Sequence, residues 1–220
     1  MPSSFRLPIF PLPLVLFPQT IQPLHIFEPR YRQLLADALA GTREFGVLCR
    51  TPDVAEREIP RGTVGCVARI ESAQALPDGR SNILVLGTSR FALSTFVEVD
   101  APYHVAEVEP YDDLPDSESE MEPLAQRLRT LFARVGTAAR SIQDDTTPLP
   151  TLPDEGAALA FVIAGQIDLE LTDKQRLLAA RSPLDRLRQL EGALAPIVEA
   201  IEHRSHVHER ARTNGHGAHG

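Results

Sequence analysis

The chain has 220 residues, 43% hydrophobic and 24% charged, which suits one or two globular domains and leaves no fibrous or collagen-like stretch. Its formal net charge of −8 disfavours a sequence-independent grip on nucleic acid or an anionic membrane. Of the 22 basic residues 21 are Arg, so any mechanism that needs a lysine must use Lys174.

Arg6 and the apolar run Leu7 to Phe17 imitate a short signal peptide, but Pro8, Pro11 and Pro13 interrupt the run and no small-x-small cleavage site follows. No stretch reaches the ~18 uninterrupted apolar residues that a membrane span requires. Cys49 and Cys66 have neither metal-ligand nor disulfide spacing. A cytoplasmic location, with reduced thiols and no membrane association, is expected.

The first 111 residues read as β-rich. Short runs at Arg6-Leu12, Ile21-Phe27, Glu44-Arg50, Val64-Ala75, Ser81-Val99 and Tyr103-Val108 carry β-branched or aromatic residues between Pro, Gly or Asp. Pro77-Asp78-Gly79-Arg80 is the clearest hairpin turn. One helix interrupts the strands: Pro29 fits its first turn, Tyr31, Leu34, Leu35 and Ala38 share a face, and Gly41 suits the C-terminal cap.

Glu109-Glu120 holds six acidic residues and two prolines, the pattern of a solvated linker. Beyond it the apolar period lengthens. Met121, Leu124, Leu128, Leu131, Val135, Ala138 and Ile142 alternate spacings of three and four, predicting a long amphipathic helix with Ser119-x-x-Glu122 as its capping box. Gly156-Ile167 is apolar on nearly every face and reads as a buried helix. Thr172-x-x-Gln175 and Ser182-Pro183 open two more, the last kinked at Pro196. The resulting class is α+β: residues 1–111 β-rich with one or two helices, 112–203 a helical bundle, and 204–220 a disordered, His-rich tail.

Catalytic constellations are not found. Lys174 opens a helix without the glycine loop of a nucleotide site, and a polar first turn does not suit a Ser-Lys nucleophile pair. His25 and His104 have no Cys or carboxylate at ligand spacing. His203, His206 and His208 suggest adventitious rather than functional metal binding, and Asp112-Asp113 and Asp144-Asp145 read as solvated loop carboxylates. The expectation is therefore a protein that is not an enzyme, with no cofactor and no metal.

Leu7-Pro8-Ile9-Phe10-Pro11-Leu12 and Pro23-Leu24-His25-Ile26-Phe27-Glu28-Pro29-Arg30-Tyr31 resemble the opening of the Lon protease N-terminal, substrate-binding domain. The resemblance continues through Val64-Gly65-Cys66-Val67-Ala68-Arg69-Ile70, Leu84-Val85-Leu86-Gly87 and Asp173-Lys174-Gln175-Arg176-Leu177-Leu178, and covers about 195 residues. It implies a small PUA-like β-barrel followed by a helical bundle. It also implies a stand-alone substrate-binding domain, since the sequence closes on the His-rich tail where the protease would continue into its ATPase.

The implied function is recognition of unfolded or extended polypeptide segments by a non-catalytic module that serves a separate protease or chaperone. Proline-broken strands leave edges and apolar side chains for such pairing, and Phe10, Leu14, Leu16, Phe17 and Pro18 are the candidate contacts. RNA binding by a PUA-like barrel is a second reading, weakened by 10 Arg against 12 acidic residues in 1–110 and by 5% aromatics. A small-ligand regulatory pocket is a third.

Overall fold

The computed structural model describes residues 4–143 and 145–215, with side chains as far as Ser205. The chain divides into two compact units. One runs through Leu114 and takes back residues 164–181; the other comprises Pro115–Ile163 and the segment from Ser182 onward. The first break lies close to the acidic boundary expected at 111, whereas residues 164–181, expected in the helical bundle, return to the first unit.

The first unit is built on six strands: β1 (Phe5–Leu12), β2 (Ile21–Ile26), β3 (Glu44–Cys49), β4 (Val64–Ala75), β5 (Ser81–Val97) and β6 (His104–Pro110). β1 runs parallel to β3 and antiparallel to β6; β4 pairs with β3 and β5, and β6 returns to β5. The pairings β1–β3–β4–β5–β6–β1 therefore form a closed circuit, with β2 added along the first half of β5. Gly79, with φ +78°, supplies the left-handed residue of the β4–β5 turn.

Alternation along the strands fills two cores. Leu7, Ile9, Leu48, Val67, Phe91 and Val108, drawn from every strand of the circuit, form one. The other lies where Phe10, Phe45, Val47, Ile70 and Val85 meet α1 (Pro29–Ala40) through Tyr31, Leu34 and Leu35. Phe10 carries that packing, with ring centroids 4.0 Å from Tyr31 and 6.0 Å from Phe45. Gly41 follows α1 without adopting a left-handed backbone, which Arg43 takes instead at φ +63°.

Residues 164–181 join this unit through α4 (Leu171–Ala179), which hydrogen bonds fasten to the strands. The side chain of Gln175, expected to cap α4, instead donates from Nε2 to the Val64 carbonyl at 2.8 Å. Arg90 is buried and donates from Nη1 to the Leu178 and Ala180 carbonyls at 2.7 and 2.8 Å, satisfying the end of the helix. Its Nη2 binds Asp113, and the Tyr111 hydroxyl donates to the Ala179 carbonyl at 3.0 Å. Asp113 is thus an ion-pair partner rather than a solvated linker carboxylate, and the linker is tethered as far as Leu114, whose N–H donates to the Arg181 carbonyl at 2.8 Å.

The second unit holds α2 (Glu118–Gln143), most of α3 (Gly156–Gln166) and α5 (Pro183–Gly215). α2 begins at Glu118, ahead of the expected capping box, with the Ser117 carbonyl accepting its first helical bonds. Its buried face contains Phe132 where the heptad-like reading placed Leu131, because a straight helix advances by 3.6 rather than 3.5 residues per turn. The run Ala158–Ile163 of α3 is buried throughout, as its all-round apolar sequence implies. Ser182 caps α5 through the Asp185 N–H at 3.0 Å, and Asp116 accepts from the Ser182 hydroxyl and the Leu184 N–H. Arg186 is fully buried, its guanidinium 3.8 Å from the Phe161 ring centroid and its Nη2 donating to the Ala157 carbonyl. α5 remains helical through Gly215, so its backbone extends into the tail expected to be disordered.

Candidate functional site

The five residues named from sequence do not form one surface. Phe10, Leu16 and Phe17 lie in the interior, Phe17 only 1% exposed, so the expectation that they contact a polypeptide is corrected. The prolines around them do not hold the run outside the fold. The segment 17–20 is clamped to β5 by reciprocal bonds, Gln19 N–H to the Gly87 carbonyl at 2.8 Å and Gly87 N–H to the Thr20 carbonyl at 2.9 Å. Gly87 is required there, since a Cβ would lie 2.1 Å from the Phe17 carbonyl oxygen. Leu14 and Pro18 are half-buried, and Leu14 borders a cleft of about 250 Å³ that Ile21, Leu169 and Lys174 also line.

From that cleft an apolar strip continues along β2. Among the described residues β2 pairs with β5 alone and so has an unpaired outer edge. Period-two alternation sets Ile21, Pro23 and His25 outward, while Ile26 points into the core. Pro23 stands opposite Leu84, and Ile21 opposite Leu86. Ile21 is 65% exposed, Leu84 43% and Phe27, just past the strand, 58%, unusually high for large apolar side chains along one strand edge. His25 finishes the strip, its Nδ1 hydrogen-bonded to Asn82 Oδ1 at 2.7 Å and its ring stacked 6.1 Å from Phe27. Alternating hydrophobicity in Ile21-Phe27 was visible in sequence; which phase faced outward was not.

The polar cluster nearest this opening motif is structural. Arg30 binds Glu56 with both terminal nitrogens at 2.6 and 2.8 Å and Glu28 through Nε at 3.0 Å. Glu56 also accepts from the Tyr31 hydroxyl and meets His104 Nε2 at 2.9 Å. Burial alone would raise the Glu56 pKa, but the hydrogen bonds from Arg30 and Tyr31 prevail and hold its carboxyl below the ordinary range. Arg30 and Tyr31 of α1, Glu56 of the turn Glu56–Glu58 and His104 of β6 are thereby locked together. His104 is accounted for here, and His25 in the β2 strip. Among the described residues no group of three or more His, Cys, Asp or Glu is placed to hold a metal ion. The side chains of His206 and His208, and Asp144, lie outside the described residues. Among those described, no helix is long and apolar enough to cross a membrane.

The sequence profile of the ATP-dependent protease La (LON) substrate-binding domain matches residues 6–195. The chain belongs to this family. It is 26% identical over 215 residues to Lon protease 2 of Herpetosiphon aurantiacus and 29% identical over 212 residues to Lon protease of Syntrophomonas wolfei, matching 96% and 94% of its own length. In both cases it spans only 26% of the relative, about a quarter of a Lon protease. Among solved structures, the Lon N-terminal domain protein from Xanthomonas campestris superposes with a TM-score of 0.62 at 26% identity, covering 86% of this chain and 98% of that one. The N-terminal domain of Mycobacterium avium complex Lon protease gives 0.67 at 19% identity and shares the fold. Membership in the Lon substrate-binding family supports a substrate-recognition module.

Proposed function

We propose that this Lon-type domain captures extended, apolar polypeptide segments along β2, with the segment pairing at the free edge and its side chains resting on Ile21, Pro23, Phe27 and Leu84. The observation that carries this reading is the exposed apolar strip on an edge strand, the arrangement by which a sheet accepts an added strand. Pro23 cannot donate to a new ladder, so pairing is interrupted at its centre and the side-chain contacts supply much of the affinity. The cleft bordered by Leu14 and Lys174 extends the strip and favours an acidic residue beside an apolar one. The role is binding without catalysis, in the cytoplasm, on behalf of a separate protease or chaperone. The closed strand circuit supports reading the first unit as a PUA-like barrel.

Nucleic acid is a poorer fit to the first unit. Arg6, Arg57, Arg69 and Arg80 each lie against a carboxylate, which cancels the charge a phosphate backbone would seek. Fluorescence anisotropy with labelled casein peptides tests the proposal. Ile21→Lys combined with Leu84→Lys should weaken binding at least tenfold without lowering the melting temperature, and unchanged affinity in a folded double variant refutes it.

A further inference from the structure

A second cavity of the first unit, about 290 Å³, lies between the end of β3, the turn that follows it and α4. Val54, Ile59, Pro60 and Leu171 make its walls apolar, and Arg50 and Gln175 contribute polar groups to the same lining. Each of these two leaves one buried side-chain atom without a hydrogen-bond partner, Arg50 Nε–H as a donor and Gln175 Oε1 as an acceptor. Both side chains are oriented by their other ends. Arg50 Nη1 donates to the Val54 carbonyl at 3.1 Å, and Gln175 Nε2 donates to the Val64 carbonyl at 2.8 Å. The bond to Val54 leaves free the edge of the guanidinium where Nε and Nη2 form a parallel fork, the edge that pairs bidentately with a carboxylate. Among the described residues Arg50 makes no ion pair.

A buried donor and a buried acceptor left unsatisfied are costly; both belong to side chains that line one apolar cavity, and a small rotation turning them into it specifies a complement. The complement presents an anionic acceptor to Arg50, an N–H to Gln175 and an aliphatic group to the walls. A cavity of this size is at the small end for ligand sites and suits one residue rather than a cofactor. We infer that the cavity binds the carboxyl-terminal residue of a polypeptide ending in an aliphatic side chain. The α-carboxylate meets the Arg50 fork, the last peptide N–H meets Gln175 Oε1, and the side chain fills the space between Ile59 and Leu171. This site is separate from the β2 strip and does not depend on it.

Calorimetry on the whole chain with two pentapeptides ending in leucine, one with a free carboxylate and one amidated, tests the inference. The acid should bind at least tenfold more tightly than the amide, and equal affinity, or no binding by either, overturns it. N-acetyl-leucine separates the two sources of this chemistry: if it binds and the acid peptide does not, the site belongs to a small metabolite and the polypeptide assignment fails. Arg50→Met should abolish the preference for the acid, and Arg50→Lys, which keeps the charge but not the fork, should retain only part of it. A second readout needs no variant. Cys49 is half-buried in the same lining, whereas Cys66 is fully buried with its thiol pushed up to about 12, so slow alkylation reports on Cys49 alone. The acid peptide should slow that alkylation several-fold and the amide should not; protection by both alike overturns the carboxylate assignment.

Discussion

Arg90 shows how much one side chain can hold in this protein. Removing it by Arg90→Leu strands two helix-end carbonyls and the Asp113 carboxylate away from their donor, with an expected loss of about 3–5 kcal/mol, seen as a lower midpoint in urea unfolding. Gly87→Ala acts through space alone. The new methyl meets backbone rather than a flexible side chain, so the 17–20 segment must move, and thermal melting should report a loss of about 1–3 kcal/mol. Glu56 gives a pH signature. Its folded pKa lies below the unfolded value near 4.5, so its contribution is complete above about pH 4.5 and is lost as the pH falls through the folded pKa. Glu56→Gln should therefore cost about 1–3 kcal/mol near neutral pH, with the gap to wild type closing in acid, as read from urea midpoints across a pH series. A constant gap down to pH 3 contradicts that account.

At the scale of elements, β2 and α4 are the informative pair. β2 tolerates change on one side only: Ile26→Asp should unfold the sheet, while Ile21→Lys should leave the melting temperature within about 1 °C and act on peptide affinity, checked by parallel melts and binding curves. The strand limits were legible because period-two alternation and the Asp78-Gly79 turn are local signals, and β4 spans Val64–Ala75 as its sequence implied. The site was much less legible. Phe10, Leu16 and Phe17 resemble exposed apolar residues until the clamp at Gly87 is known, and that clamp joins positions some seventy residues apart. α4 was readable as a helix but not as part of the sheet unit, because Arg90 and Gln175 commit to it through bonds spanning about 90 to 110 residues. Neither bond leaves a trace in local periodicity.

The whole molecule is threaded rather than concatenated: the chain passes from one unit to the other three times, after Leu114, after Ile163 and after Arg181. A fragment of residues 1–114 therefore lacks α4 and leaves Arg90 without its carbonyl partners. It should exchange backbone hydrogens faster along β4 and β5 than the full chain does, measured by mass spectrometry, and a flexible graft of residues 164–181 onto its end should restore protection. Equal protection in the short fragment means that α4 is dispensable. One further property of the whole molecule follows from its composition. With Lys174 as the sole lysine and its side chain on the cleft beside Ile21, the protein carries one reactive side-chain amine, set next to the strip proposed to bind clients. An amine-directed photocrosslinker will thus load at this position and at the α-amino group, and what it captures on illumination maps the occupants of two addresses instead of the whole surface.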